Sequence, residues 1–226
     1  MARKGFQQQL AELRENVLYM SEIVLERMRA GLRALETKDE SIAREVIEGD
    51  HEINELYLEL EQDCIDLFAL QQPVAGDLRF IAASFKIITD LERVADLATN
   101  LGEYTLQADR DMYPDVDIQG IGTVVVGMVE DAMAAYDEED ADACFAIDSR
   151  DDEVDELCER ASSTVVRDLI EREIDDDSSD EEIETLMTEV SRLLLTIRDL
   201  ERVGDHAVNI AARTLYMTDN SDELIY

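Results

Sequence analysis

The sequence contains no tryptophan, and phenylalanine and tyrosine together make up only 5% of its 226 residues. It also has only two prolines and nine glycines, so little interrupts long helices. Hydrophobic residues still account for 46%, a normal share for a globular protein. We therefore expect a core of leucine, isoleucine, valine, alanine and methionine, in one large domain or two of about 110 residues.

Cysteine is scarce as well. The three cysteines, Cys64, Cys144 and Cys158, are widely spaced and form no Cys-x-x-Cys pair. This pattern argues against a disulfide framework and against a zinc site built from cysteine and histidine. The N-terminus has no apolar signal region, and the longest apolar run, near residues 123–129, is much shorter than the roughly 20 residues that cross a bilayer. We expect a cytoplasmic protein without membrane insertion.

Basic residues are also few: the sequence has 20 of them against 56 acidic residues, which gives a net charge of −36. Such a surface repels nucleic acid and anionic lipid, so we expect no nucleic-acid partner. A compact chain that repels itself this strongly needs screening by salt, and about 1 M salt shortens the Debye length to about 3 Å. The composition favours an origin in a halophile.

Apolar residues recur at spacings of three and four along most of the chain, which is the pattern of amphipathic helices. The pattern predicts an all-α fold of six long antiparallel helices and no strand. These span about residues 6–36, 39–70 (with a bend at Gly49), from Phe80 to about 108, 118–137, 139–173 and 180–218. We therefore predict two three-helix bundles, 1–109 and 118–226, joined by a linker at 110–117 that contains Pro114.

One eleven-residue segment occurs twice. Eight of its eleven positions are identical between Asp90-Leu91-Glu92-Arg93-Val94-Ala95-Asp96-Leu97-Ala98-Thr99-Asn100 and Asp199-Leu200-Glu201-Arg202-Val203-Gly204-Asp205-His206-Ala207-Val208-Asn209. A repeat about half the chain apart indicates two copies of one unit. Because the identical positions are largely charged or amide residues, the repeat indicates more than shared packing.

Within each copy, side chains four apart form one row on the helix surface: Glu92, Asp96 and Asn100, and Glu201, Asp205 and Asn209. Like charges at this spacing cost roughly 0.2–0.5 kcal/mol per pair, so an arginine, a metal ion or salt should offset them. The second helix of each half adds the pairs Asp50/Asn54 and Asp151/Asp155. Oxygen ligands of this kind suit Mg²⁺, Ca²⁺ or Mn²⁺, and carboxylate clusters also bind iron.

The alternative is a solvated acidic face, since Glu-x-x-x-Asp arises often by chance in so acidic a chain. Arg93 and Arg202 could pair with these acids, and Asn100 and Asn209 are more often helix caps or interhelical hydrogen-bond donors than ligands. Duplication of the whole row favours the metal interpretation, whose candidate ligands are Asp50, Asn54, Glu92, Asp96, Asp151, Asp155, Glu201 and Asp205.

No catalytic residues are predicted. Glu48 and His51 form one Glu-x-x-His, whereas ferritin-like di-iron bundles need two on different helices. His206 is replaced by Leu97 in the first copy, so a mechanism shared by both halves cannot require it. The sequence has no phosphate-binding glycine-rich loop and no nucleophile elbow. We expect a protein that is not an enzyme.

The segment from Asp199 to Ile210 resembles the signature of the PhoU family of phosphate-transport accessory and regulatory proteins. The first copy, Asp90 to Asn100, is similar to the same signature. Gln72-Pro73-Val74-Ala75-Gly76-Asp77-Leu78-Arg79 resembles that family's break before the third helix, and Asp50-His51-Glu52-Ile53-Asn54 resembles its second-helix motif. The resemblance covers nearly the whole chain in the right order.

This resemblance implies tandem three-helix bundles with multinuclear metal sites at Glu92/Asp96 and Glu201/Asp205, beside Asp50/Asn54 and Asp151/Asp155. Iron, zinc, manganese and magnesium are the implied metals. It implies a negative regulator of phosphate uptake and signalling that acts on the ATP-binding subunit of a phosphate ABC transporter and, in many bacteria, on a sensor histidine kinase. Asn54 stands where an acid would bind metal more strongly, and the second half lacks a Gln-Pro-x-x-x-Asp-Leu-Arg equivalent.

Three hypotheses follow. The first is a non-enzymatic regulator that docks on the phosphate transporter in a metal-dependent way. The second is a metal-handling helical bundle whose iron or manganese clusters are its function, and the third is a purely structural adaptor. Long amphipathic helices with exposed apolar margins favour a homodimer, whose symmetry the sequence does not determine.

The halophile hypothesis predicts that the protein loses stability when salt is removed, because repulsion among its acidic residues is then unscreened. The melting temperature should fall steeply between molar and millimolar KCl, measured by circular dichroism. An unchanged melting temperature across that range would contradict the hypothesis.

Overall fold

The computed structural model describes residues 2–70, 74–107, 116–171 and 180–225. Across these residues the chain is helical with short connections, and no strand occurs among them. The helices are α1 (Ala2–Thr37), α2 (Glu40–Glu48), α3 (Asp50–Leu70), α4 (Ala75–Leu106), α5 (Ile118–Glu138), α6 (Ala141–Glu171) and α7 (Asp180–Asp219). The predicted all-α fold with two three-helix bundles is confirmed.

The predicted second helix is a pair, α2 and α3, separated at Gly49. Arg27 of α1 lies against this break, where its Nη1 donates to the carbonyl of Glu45 at 2.8 Å and its Nη2 pairs with Glu52 at 3.0 Å. A Cβ on residue 49 would lie 1.7 Å from Arg27 Nη1. A side chain at residue 49 would therefore displace the Arg27 guanidinium from its contacts with Glu45 and Glu52. Together, α2 and α3 correspond to one helix of the predicted six.

Aspartates cap free backbone N–H groups at the start of three helices. One of them, Asp140, accepts from the N–H groups of Asp142 and Ala143 at the start of α6. Asp39 accepts hydrogen bonds from the backbone N–H groups of Ser41 and Ile42 at the start of α2. Asp117 accepts one from the N–H of Gly120 at the start of α5. An aspartate at this position satisfies donors that the first turn leaves unpaired and also complements the helix dipole.

Three predicted connections fall wholly or largely outside the described residues. These are most of the linker at 110–117, the break at Gln71-Gln72-Pro73, and the acidic loop before Asp180. The domain limits 1–109 and 118–226 therefore stay a prediction.

The two bundles share one continuous core. α1, α2, α3 and α4 pack together, as do α5, α6 and α7, while α4 also packs on α7 and α1 on α5. The interior is built from aliphatic residues, as the composition predicts; fully buried examples are Val17, Ile87, Leu101, Val129 and Leu200. The hydroxyl of buried Tyr136 on α5 forms a 2.7 Å hydrogen bond with the Ser84 hydroxyl on α4, so a polar contact also crosses between the bundles.

One helix, α5, is long and apolar enough to cross a membrane by length and composition alone, with a mean hydropathy of 1.3 in its most apolar stretch. Half of that stretch is buried inside the structure. In the fold α5 packs against α1, α6 and α7. Because the core helix of a bundle passes the same test, this is weak evidence for a membrane span.

Candidate metal centre

The packing of α4 against α7 brings the two copies of the repeated motif together. Residue numbers rise along α4 as they fall along α7: Asp90 contacts His206, and Tyr104 contacts Asp199. The two helices therefore run antiparallel, and each copy of the motif lies beside the other.

The first aspartate of each copy forms a hydrogen bond across this interface. Asp199 is buried, and its Oδ2 accepts from Asn100 Nδ2 at 3.0 Å and from the Tyr104 hydroxyl at 2.8 Å. Asp90 Oδ1 lies 2.9 Å from His206 Nδ1 in a contact where both side chains are largely buried. Sequence reasoning assigned no role to Asp90 or Asp199, although their identity in both copies was a signal.

In the second half, the four predicted carboxylates converge between α6 and α7. Asp151 and Asp155 lie on α6, and Glu201 and Asp205 lie on α7. A Cβ on Gly204 would lie only 3.4 Å from Asp151 Oδ1, which shows how closely α6 approaches α7 there. Asp155 and Asp205 are exposed whereas Asp151 and Glu201 are half-buried, so the cluster opens to solvent.

The ionisation of this cluster is disfavoured by desolvation and by mutual repulsion. Burial, followed by the charges of Asp205 and Asp155, raises the pKa of Asp151 to about 6. Burial is also the main cause of the raised pKa of Glu201 and of Asp205, and the charge of Asp155 adds to both. Groups that repel one another in this way bind a cation favourably.

The donor set of the second half fits a hard cation. Asp151 Oδ1 is buried and accepts no hydrogen bond, which leaves a charged oxygen unpaired beside three other carboxylates. Carboxylate oxygens are the ligands that Mg²⁺, Mn²⁺ and iron accept in proteins. Within the described residues no three His, Cys, Asp or Glu side chains are close enough to share one ion, so binding needs side-chain rotation.

In the first half, neutral side chains and an arginine contact the candidate carboxylates. Asp50 Oδ2 accepts from Asn54 Nδ2 at 2.8 Å, and its Oδ1 accepts from the Thr99 hydroxyl at 3.4 Å. Arg93 lies 3.6 Å from a Glu92 oxygen and 3.8 Å from an Asp96 oxygen. The halves therefore differ in their local chemistry as well as in sequence.

Burial is the main cause of the raised pKa of Glu92 and of Asp96. The charge of Asp96 further raises the pKa of Glu92, and the charge of Asp50 further raises the pKa of Asp96. The charge of His206 lowers the pKa of Glu92 and Asp96, and also that of Asp205 in the other half. One side chain is thus near carboxylates of both halves. The two clusters lie side by side, with the α4–α7 contact between them.

The remaining candidates make other contacts. Asn100 is an interhelical donor to Asp199, while the side chain of Asn209 makes no hydrogen bond in the part of the chain that the structure describes. His51 is exposed and lies 3.6 Å from Glu55 on the same helix.

The cysteines are free and buried. Burial raises the pKa of Cys64 and Cys158 to about 12 and that of Cys144 to about 11, so all three are protonated thiols at neutral pH.

We predict that Asp151→Asn stabilises the metal-free protein at neutral pH. The folded-state pKa of about 6 lies above the ordinary 3.8, so folding binds a proton between these values and stability falls as pH rises through them. Above pH 6 the variant should gain on the order of 1 kcal/mol after allowance for solvent screening, and the gain should vanish below about pH 4.

Urea unfolding with a chelator, at several pH values and constant KCl, measures this difference. Asp152→Asn removes the same charge from an exposed neighbour and is the matched control. An equal gain in both variants, or a loss in Asp151→Asn, would show that local repulsion at Asp151 is not the cause.

Both halves of the chain are similar to one known protein family. The PhoU domain matches residues 17–105 and 118–214, one match in each half. A phosphate-specific transport system accessory protein PhoU homolog from Clostridium acetobutylicum is 32% identical over 220 residues, covering 96% of this chain and 95% of the relative.

Two crystal structures have the same fold along nearly their whole length. PhoU from Pseudomonas aeruginosa superposes with a TM-score of 0.86 and 28% identity, covering 96% of this chain and 100% of that one. The phosphate transport system regulatory protein PhoU from Streptococcus pneumoniae gives a TM-score of 0.84 and 27% identity, covering 98% and 99%. With both halves matched by the PhoU domain, the chain belongs to the PhoU family.

Proposed function

We propose that this chain is a cytoplasmic, non-enzymatic accessory protein that restrains phosphate uptake and phosphate-dependent signalling. It does so by docking on the ATP-binding subunit of a phosphate ABC transporter. The observation that carries the proposal is the near full-length similarity to proteins named as accessory or regulatory components of phosphate transport. A sensor histidine kinase is a further partner where the source organism has one.

The carboxylate clusters support a metal-dependent form of this docking. A chain with a net charge of −36 repels an acidic partner surface, and cations held on one face would lower that repulsion locally. Asp151, Asp155, Glu201 and Asp205 would hold the ion in the second half. Asp50, Asn54, Glu92 and Asp96 would form a weaker site in the first half, because the amide of Asn54 already satisfies one Asp50 oxygen.

Iron, manganese, magnesium and zinc remain the candidate metals. The all-oxygen donor set favours the first three, since zinc sites in proteins usually include cysteine or histidine.

A second candidate function, metal handling, is favoured by the unpaired Asp151 oxygen, which is available to a cation whether or not a partner is present. In that case the ions are cargo and the number bound per chain should vary with supply. Docking predicts instead a fixed, low number of ions and a measurable affinity for the transporter subunit.

We predict that cells of the source organism lacking this gene take up phosphate faster when phosphate is plentiful. The gene should restore the restraint, and a variant with Asp151→Asn, Asp155→Asn, Glu201→Gln and Asp205→Asn should not, because its second cluster cannot hold a cation. The measurement is the initial rate of radiolabelled phosphate uptake, at protein levels matched by immunoblot.

The control variant carries Asp148→Asn, Asp152→Asn, Glu153→Gln and Glu156→Gln, which remove the same charge from other positions on α6. It should restrain uptake like the unmodified protein. Uptake that is unchanged by loss of the gene would contradict the accessory role. Full restraint by the cluster variant would contradict metal-dependent docking while leaving the accessory role intact.

A further inference from the structure

Three basic side chains near one end of the α4–α7 contact lack an acidic partner. Arg79, Lys86 and Arg213 form neither a hydrogen bond nor an ion pair with any described residue. Arg93 and Arg202, on the same two helices, each lie 3.6 Å from a carboxylate oxygen. In a chain with 56 acidic residues and 20 basic ones, three neighbouring unpaired cations are available to an anion from solution.

The register between the two helices brings these three side chains together. Asp90 on α4 contacts His206 on α7. Lys86 lies about one turn before Asp90 and Arg79 about three turns before it, so both share its side of α4, while Arg213 lies about two turns after His206 on the same side of α7. Because the helices are antiparallel, Arg213 is level with a point between Arg79 and Lys86, within about 6 Å of each along the helix axis.

A cavity lies at this end of the contact. Arg79 lines an open space of about 460 Å³, whose other walls include the first half of α1 and the last turn of α7. The two acids that line it already have partners, because Asp77 accepts from a glutamine of α1 at 3.5 Å and Glu139 pairs with Arg14. The charge of Arg79 is therefore not neutralised by an acid of the cavity.

Two of the three cations carry a buried donor without an acceptor. The Nε atoms of Arg79 and Arg213 are shielded from solvent, and neither donates to another group among the described residues. A buried N–H without an acceptor costs desolvation free energy, which a bound acceptor recovers. Both arginines are half-buried whereas Lys86 is exposed, so an ion can reach them from the solvent side.

The chemistry of these groups favours a small tetrahedral oxyanion. The fork of a guanidinium group matches two oxygens of a phosphate group, and a lysine ammonium adds a point charge. The first turn of α4 also lines the cavity, and since Val74 provides no side-chain cap, its free N–H groups add positive potential there. A nucleic acid or an acidic protein would be repelled by the net charge of −36 far more strongly than a small ion.

We propose that Arg79, Lys86 and Arg213 form a binding site for a phosphate oxyanion, supplied either as inorganic phosphate or as a phosphate group of a nucleotide. The two arginines bind its oxygens from opposite helices, and Lys86 covers its solvent side. The Asp90–His206 contact separates this site from the carboxylate clusters along both helices. The proposal concerns binding by the folded chain and is independent of whether the chain restrains phosphate uptake.

Equilibrium dialysis of the full-length chain with radiolabelled inorganic phosphate tests the proposal. EDTA is included to keep metal off the carboxylates, at the lowest KCl concentration that preserves the circular dichroism spectrum. We expect one phosphate per chain. Arg79→Gln and Arg213→Gln should each raise the dissociation constant by about 10- to 100-fold, and Lys86→Gln by about 10-fold. Arg160→Gln removes the same charge from an exposed position on α6 and should bind phosphate like the unmodified protein.

Competition with ATP identifies the source of the phosphate group. Displacement by ATP at lower concentrations than by unlabelled phosphate assigns the site to a nucleotide, and no displacement, or displacement only at higher concentrations, assigns it to the free ion. Lys86→Gln changes an exposed side chain, so its effect does not depend on the packing of the arginines. No binding by the unmodified chain, binding that appears only without EDTA, or equal binding by Lys86→Gln and Arg160→Gln would each overturn the proposal.

Discussion

The antiparallel contact between α4 and α7 determines how the candidate ligands of the two repeated motifs are placed relative to each other. Each of these helices carries one copy of the repeated motif, and the first aspartate of each copy is hydrogen-bonded across the contact, Asp90 to His206 and Asp199 to Asn100 and Tyr104. These buried contacts fix the register between the bundles, because a shift along the helices would leave a buried aspartate unpaired. The two carboxylate clusters consequently lie side by side.

Some side chains of the repeated motif pair across the α4–α7 contact and stabilise the fold, whereas others are available to bind a metal ion. Asp199 accepts hydrogen bonds from Asn100 and Tyr104. Four residues further along α7 from Glu201, Asp205 remains exposed, and Asp151 faces α7 with an unpaired oxygen. The motif thus serves two roles on neighbouring sides of one helix: Asp90 and Asp199 pair across the contact, whereas Glu201 and Asp205 lie beside the carboxylates of α6.

The helices, their approximate limits and the convergence of the second-half carboxylates were predictable, because amphipathic periodicity and i, i+4 spacing are local properties of the sequence. The break at Gly49 was expected only as a bend, and its contacts with Arg27 were not predictable because Arg27 belongs to another helix. The roles of Asp90, Asp199 and Tyr104 depend on how the bundles pack together, which no local pattern encodes. Likewise, nothing in the spacing of Asp50 and Asn54 showed that the amide would bond the carboxylate.

We expect the carboxylates between α6 and α7 to hold metal, more tightly than those between α3 and α4. The direct measurement is elemental analysis of protein purified in concentrated KCl without a metal-affinity tag. Bound metal should be lost in the variant with Asp151→Asn, Asp155→Asn, Glu201→Gln and Asp205→Asn, and largely kept in the variant with Asp50→Asn, Glu92→Gln and Asp96→Asn. Equal metal in all three proteins, or none in the unmodified one, would contradict this expectation.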